Sequence, residues 1–545
     1  MSASDLANRL LYGDNLDILR SLATESVDLV YLDPPWNPKA DYNVIFRESR
    51  AQRDAFEGTW RWGPTAEDHY AYLTQTARNR GNVQAPVSHL IAALRAAGTT
   101  PMLAYIVEMT VRLVELHRVL SPRGSLFLHS DPTASHYLKL VLDALFGALS
   151  FRNEVIWKRT GSHNSAHRFG PVHDVILFYA KTDKALFNRI NGPYLDGYVE
   201  SHFRAQDERG RFQAVSLTGP GARTGDSGKP WSGHDPTVGG RHWQPASYLY
   251  SKYRTLTGDD LAQYPLLERL DKLDEVGLIY QPKRTSVPRY RYYVEDAPGT
   301  PLPDVWTDIP PLNSQARERT GWGTQKPVAL LQRIIEASTQ PGDLVLDPFC
   351  GCGTALDAAE GLGRRWIGID ITWHAIAVMK ARMRVRYGID AKIEGAPTEV
   401  DGARQLSLQK PNGRDQFEAW ALTLVGAIPH GGPQKKGADQ GADGVITFSG
   451  AAGALESAIV SVKSGHVQAA DIQRLKGAMQ RHGGSLGLFV TLEKPTGPMG
   501  QEAATAGLYH SDVSGREYER VQILTIRELL EERRKPDLPP LLTTE

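Results

Sequence analysis

Within residues 341–371, PGDLVLDPFCGCGTALDAAEGLGRRWIGIDI, two acidic residues close two apolar runs, with a glycine turn between the runs. Leu344, Val345 and Leu346 stop at Asp347-Pro348, where proline ends strand pairing and turns the chain. Gly351 and Gly353 carry no Cβ and accept positive φ, so the backbone there can lie against a bound molecule. Thr354 stands where it could cap the helix that follows, and the free N–H groups of that first turn suit a carboxylate. Asp370 ends the next strand, where an acid in such a βαβ unit bonds the hydroxyls of a ribose. The chemistry on offer is the cradling of a nucleoside-bearing cofactor. A dinucleotide site is the rival, but its third glycine would fall at position 356, which holds Leu356. A strand-turn-helix that binds nothing is the bland alternative.

A second cluster stands near the other end of the chain. Residues 27–32, VDLVYL, form a near-continuous apolar run suited to a buried parallel strand, and Asp33-Pro34-Pro35-Trp36 follows at its carboxyl end. Open α/β sheets bind ligands at that edge. There a carboxylate could accept a hydrogen bond from a ring amine whose lone pair is delocalised, helped by a carbonyl of the rigid Pro-Pro turn, while Trp36 stacks on the ring. The bland reading is a strand-ending turn.

Several elements must position these clusters. Residues 10–12 read as a strand, 15–22 as a helix, 102–120 as an amphipathic helix and 125–129 as another buried strand. Residues 153–157 and 173–179 suggest a terminal hairpin, with His163, Asn164, His167 and Arg168 in a solvated or DNA-facing loop between them. Thr324-Gln325-Lys326-Pro327 opens a helix over 328–337 and would bring Lys326 toward the cradle. From about residue 186 to 319 the texture changes to glycine, proline, aromatic and basic residues, a poor scaffold, with 219–240 the loosest piece. In it Lys283, Arg284, Arg289 and Arg291 interleave with Tyr290, Tyr292 and Tyr293. That mixture can neutralise phosphates and stack on bases, or can be a solvated strand with its tyrosines turned inward.

Length and composition set the frame. At 545 residues the chain exceeds one ordinary core, so two or three domains are expected. A net charge of zero means that attraction to nucleic acid must come from local basic patches. Cys350 and Cys352, the 2 cysteines, exclude a disulfide framework and suit a small-residue turn better than a metal site. No run approaches the roughly 18 apolar residues of a membrane span, and residues 1–14 lack a signal pattern, so a cytoplasmic, membrane-free protein is expected.

With these pieces assembled, residues 1 to about 387 resemble the permuted (β-class) amino-methyltransferases of DNA, the N6-adenine and N4-cytosine group. LLYGDNLDIL, VDLVYLDPPWN, HRVLSPRGSLFLHSD, NEVIWKR, TQKPVALLQRII, VLDPFCGCGTAL and RWIGIDI follow in that family's order, catalytic half first and cofactor half last. The resemblance implies a doubly wound, Rossmann-like α/β sheet that binds S-adenosylmethionine and acts on double-stranded DNA. Asp33, Pro34, Pro35 and Trp36 would carry catalysis on a base swung out of the duplex. Asp347, Phe349, Gly351, Gly353, Thr354, Asp370, Lys326 and Asp14 would surround the cofactor, and no metal is expected there. Aspartate at the head of the tetrapeptide favours N6-adenine, with N4-cytosine or an RNA substrate as alternatives.

By the same resemblance, residues 1–185 are the catalytic half, 186–320 an inserted target-recognition region, 321–387 the cofactor half and 388–414 a linker. Residues 415–545 follow as a second, smaller domain. There a helix over 417–427, strands over 444–448 and 458–462, a helix over 469–480 and a strand over 486–491 resemble Mrr-like restriction endonucleases of the PD-(D/E)xK superfamily. Asp439, Asp443 and Lys463 would be the nuclease residues, with Mg at Asp443. Ser461 departs from that pattern, since the position two before the lysine usually carries Glu, Asp or Gln. The domain is therefore either a nuclease, which would make the chain a bifunctional methyltransferase-endonuclease, or a DNA-binding specificity module. A second copy of the chain and restriction or defence subunits are the partners such a system would use.

Overall fold

The computed structural model describes residues 8–35, 62–161, 169–194, 197–283, 286–297, 299–313, 316, 318–320, 322–409, 413–429, 441–451 and 454–541. They form two compact units, one of Met1–Asn188 with Pro303–Glu545 and one of Arg189–Leu302.

The first unit is built on strands β1 (Arg9–Tyr12), β2 (Val27–Leu32), β3 (Leu120–Ser130), β4 (Phe151–Lys158), β5 (His173–Ala180), β6 (Val305–Trp306), β7 (Leu344–Asp347), β8 (Arg365–Asp370) and β9 (Lys392–Glu394). Among the described residues these nine form one sheet, in the order β6-β4-β5-β3-β2-β7-β8-β1-β9. Only β5 runs antiparallel to its neighbours, as the expected hairpin partner of β4. Residues on alternate sides of a strand enter different cores. Leu29 and Tyr31 of β2 join one, while Val30 and Leu32 join the other. Both faces are thus covered, which is why the strands read as continuous apolar runs. Each fully buried aliphatic side chain there is worth about 1.5–3 kcal/mol over its exposed state.

Helices α1 (Asn15–Ser21), α2 (Pro101–Val119), α3 (Val328–Ser338), α4 (Thr354–Gly361) and α5 (Trp373–Tyr387) cover the sheet. The α2 helix starts at Thr100, whose hydroxyl accepts from Leu103 N at 3.1 Å, and Pro101 fits its first turn.

The expected linker over 388–414 is instead part of the fold. Its residues 392–394 form β9, paired with β1, and Val400–Leu408 forms helix α6 with Ala403 and Leu406 buried. A three-residue edge strand and a two-turn helix leave too short a periodic pattern to stand out from irregular chain. Helix α7 (Gly413–Val425) follows and packs on α5 and α6. Beyond it β10 (Ile428–Pro429), β11 (Gly444–Ser449), β12 (Leu455–Lys463), β13 (Leu486–Thr491) and β14 (Val521–Thr525) form a second sheet in chain order, with α8 (Ala469–His482) against β12 and β13. One apolar cluster runs unbroken from Val345 and Trp366 through Trp373 and Trp420 to Phe448 and Leu488.

The second unit is no loose scaffold. Strands Ile279–Tyr280, Arg289–Tyr293, Gly210–Ser216 and Ala205–Asp207 form its own sheet over a core that includes Trp231, Trp243, Leu249 and Leu270. Aromatic residues inside a glycine-rich sequence supply the burial that periodicity did not reveal.

Candidate active site

The parallel register brings the two clusters together. Leu346 pairs with Val30 across β7 and β2, Asp347 with Gly368 across β7 and β8, and Asp370 with Tyr12 across β8 and β1. Since these strands are parallel, Asp33, Asp347, Asp370 and Asp14 all emerge at one carboxyl edge. They line a cavity of about 380 Å³ together with Pro34, Pro35, Phe349, Gly351, Thr354 and Lys326. That volume is of small-molecule size.

Lys326 Nζ is hydrogen-bonded to Asp33 Oδ2, and both side chains are largely buried. Burial alone would depress the Lys326 ammonium, but the Asp33 and Asp174 carboxylates outweigh it and push it above its ordinary value. The loop before it is braced: Gln325 Oε1 accepts from Thr320 N and Oγ1 at 2.8 Å, and Glu318 Oε2 accepts from Val328 N at the start of α3.

Across the cavity, Asp370 Oδ2 accepts from Gly351 N at 3.0 Å, and Oδ1 accepts from Thr372 N and Oγ1 at 2.9 and 2.8 Å. Oδ1 therefore carries two of these bonds and Oδ2 one, which makes Oδ2 the oxygen better placed to take a hydroxyl. Burial raises Asp370 to about 6. Asp347, which accepts from Phe349 N, is raised well above its ordinary value, first by burial and then by the nearby Asp33 and Asp370 charges. A cavity ringed by such acids favours a cationic guest, and a hydroxyl-accepting carboxylate at Asp370 favours a ribose. The residues present therefore fit the sulfonium cofactor that the family resemblance implies.

The turn itself departs from expectation at Thr354. Gly353, with φ of 75°, is the residue that caps α4, and Thr354 is already helical, its hydroxyl accepting from Arg382 Nη1 at 3.4 Å. Left-handed backbone at position 353 puts the turn before the threonine. Gly353 does not line the cavity; a Cβ there would meet Met379 Cγ at 2.6 Å. Gly351 has φ of 49°, and a Cβ on it would meet Trp322 Nε1 at 3.2 Å. Cys350 Sγ donates to Ile369 O, and burial pushes both thiols up.

Other side chains complete the edge. Asp14 caps α1, with Oδ1 accepting from Leu16 N at 2.8 Å, and pairs with Arg112 at 3.2 Å. Arg112 Nε donates to Asn15 Oδ1, and Asn15 Nδ2 donates to Pro348 O at 2.8 Å, tying α1 to the glycine turn. Beside Lys326, Tyr31 Oη lies 2.9 Å from His129 Nδ1, and His129 Nε2 lies 3.1 Å from Asp174 Oδ2. Burial would raise Asp174, but His129, Lys326 and Arg159 together hold it down at about 2.

Trp36, Arg284 and Asp439 fall outside the described residues, as do His163, Asn164, His167 and Arg168. Lys283, Arg289 and Arg291 belong to the second unit. Arg289 is exposed, whereas Arg291 pairs with Asp207 at 2.9 Å. Tyr290 and Tyr293 turn into that unit's core. In the C-terminal sheet Asp443 Oδ2 accepts from Val462 N at 2.6 Å and from Ser461 Oγ at 3.2 Å, while Lys463 pairs with Asp471.

A doubly wound parallel sheet with acids at adjoining carboxyl ends and a glycine turn between them defines a Rossmann-like methyltransferase fold. Residues 27–381 match the family model described as DNA methylase, the N6/N4 group, and the chain belongs to that family. Residues 415–531 match the model described as NACHT-associated inactive restriction endonuclease 1. Type II methyltransferase M.EcaI of Enterobacter cloacae is 29% identical over 384 residues, covering 70% of each chain. DNA adenine methyltransferase YhdJ of Escherichia coli is 42% identical over 98 residues, 18% of this chain and 32% of its own. A solved structure of an M1.HpyAVI–SAM complex overlaps 70% of this chain and 99% of its own at 14% identity, with a TM-score of 0.29. Among the described residues no helix is long and apolar enough to cross a membrane.

Proposed function

We propose that this chain transfers a methyl group from S-adenosylmethionine to the exocyclic N6 of an adenine swung out of double-stranded DNA, working in the cytoplasm. The carrying observation is the convergence of Asp33 and Asp370 on one cavity, with Lys326 bonded to Asp33. Bound S-adenosylmethionine supplies an electrophilic methyl group on a sulfonium. Asp370 would take a ribose hydroxyl at Oδ2, and Asp347 with the turn at Gly351 would face the charged end of the same molecule. Lys326 occupies one oxygen of Asp33 and leaves Oδ1 for the amine. That hydrogen bond localises the nitrogen lone pair toward the methyl and gives the departing proton an acceptor. Holding nitrogen and methyl in line is the main contribution, because alignment can replace a strong base. Pro34 and Pro35 stiffen the turn, and Trp36 would stack on the base.

The adenine reading is supported by Asp33 at the head of the tetrapeptide and by the likeness to an adenine methyltransferase. N4-cytosine is the alternative. Mass spectrometry of nucleosides from DNA treated with labelled cofactor tests this: labelled N6-methyladenine is expected, and labelled N4-methylcytosine overturns the assignment. RNA treated in parallel should stay unlabelled.

The second unit, with Lys283, Arg284, Arg289 and Arg291, is inferred to read the target site, within the 186–320 region. The C-terminal domain is inferred to be a DNA-binding or specificity module of Mrr-like ancestry rather than a nuclease. Ser461 brings no negative charge, Lys463 is engaged by Asp471, and Asp443 is engaged by Ser461 and Val462, which leaves little for a magnesium ion. A restriction-modification or defence setting, with partner subunits or a homodimer, suits such a pairing.

A further inference from the structure

Helix α5 begins three residues after Asp370, and its first turn needs partners for backbone N–H groups that no helical carbonyl can reach. Thr372 supplies one, its Oγ1 accepting from Ala375 N at 3.3 Å. The N–H of Trp373 is taken by a residue from beyond the methyltransferase region: Gln416 Oε1 accepts from it at 2.7 Å. Gln416 lies on α7, at the start of the segment matched by the inactive-endonuclease model.

The contact is embedded in apolar packing. Trp373 and Trp420 are fully buried and meet edge to face at 6.5 Å, Phe417 packs on Trp420 at 5.6 Å, and Tyr12 stacks on Trp373 at 4.3 Å. Tyr12 ends β1, and the next residue, Gly13, donates its N–H to Asp370 O at 3.1 Å. From α7, then, one route runs by Gln416 to Trp373, Thr372 and the Asp370 carboxylate, and a second by Trp420, Trp373 and Tyr12 to the Asp370 carbonyl.

We infer that Gln416, contributed by the C-terminal domain, is a positioning residue for the cofactor carboxylate Asp370, so that this domain sets cofactor affinity. The inference rests on the methyltransferase reading and deepens it. Removing the acceptor leaves the Trp373 N–H buried without a partner, and the 371–373 segment that holds Asp370 loosens. Chemistry at Asp33 is untouched, so affinity and turnover should separate.

The test uses the full chain, with S-adenosylmethionine binding measured by calorimetry and turnover measured at saturating cofactor. Gln416→Leu should weaken binding about tenfold, the effect of one lost buried hydrogen bond, with kcat unchanged. Gln416→Glu, which keeps an acceptor oxygen at the same reach, should bind as the wild type does. Hydrogen–deuterium exchange should show faster exchange at Trp373 in Gln416→Leu alone, a readout that does not depend on turnover. Equal binding in wild type and Gln416→Leu overturns the inference while leaving the function intact, as does equal loss in both variants. A wild-type chain that binds no S-adenosylmethionine overturns the methyltransferase reading itself.

Discussion

Lys326 and Asp33 stand 293 positions apart in sequence and are hydrogen-bonded in the fold, Nζ to Oδ2. One oxygen of the Asp33 carboxylate is committed to that bond, and both residues line the cavity.

On the proposed mechanism, Asp33→Ala removes the acceptor for the target amine. Turnover should fall by about 10²–10⁴-fold, while calorimetric affinity for S-adenosylmethionine stays within about twofold. Transfer that persists in this variant would exclude Asp33 from the chemistry.

Lys326→Met leaves the Asp33 and Asp174 carboxylates without their shared cation. Stability should drop by about 3–5 kcal/mol, as for a broken buried ion pair, and thermal melting would show it. Because the Lys326 ammonium is raised above its ordinary value, its contribution is complete below the usual lysine range and is lost only above it. The melting difference from wild type should therefore be the same at pH 7 and pH 9.

Asp370 is raised to about 6, so its charged form, the better hydroxyl acceptor, predominates only above that pH. Cofactor affinity should fall as pH drops through about 6. Binding near that pH should release protons, seen as a dependence of the calorimetric heat on the buffer's ionisation enthalpy.

Gly353→Ala must place a Cβ at φ of 75° and 2.6 Å from Met379 Cγ. The variant should lose about 1–3 kcal/mol of stability in denaturant unfolding. Met379→Ala empties a buried core site and is itself destabilising, but combined with Gly353→Ala the two losses should sum to less than their separate values because the clash is gone.

Unmethylated DNA incubated with magnesium should remain intact, and Lys463→Ala should behave identically in a gel assay. Cutting that the Lys463→Ala change abolishes would restore the nuclease reading of the C-terminal domain.

Much of the site could be read from the chain because its parts sit at strand ends. An acid after an apolar run marks the carboxyl edge of a parallel sheet, and two such acids, Asp33 and Asp347, emerge from neighbouring strands. What stayed hidden depends on side chains meeting across elements. Arg112 is buried in the amphipathic helix α2, and its partners Asn15 and Asp14 come from a distant element; Glu108 one turn earlier, at 3.0 Å, is the hint the spacing offers. Tyr31, His129 and Asp174 come from three strands, with nothing in their spacing to join them. Threonine's capping preference points to Thr354, but the left-handed backbone at Gly353 places the cap one residue earlier.

The insertion between the two halves begins and ends in one short ladder, with Gly192 opposite Thr300 and Asn191 opposite Pro301. Its stalks are side by side, and its interior is stabilised by its own aromatic core. A cassette fastened this way can be exchanged, enlarged or trimmed in evolution without reopening the catalytic sheet.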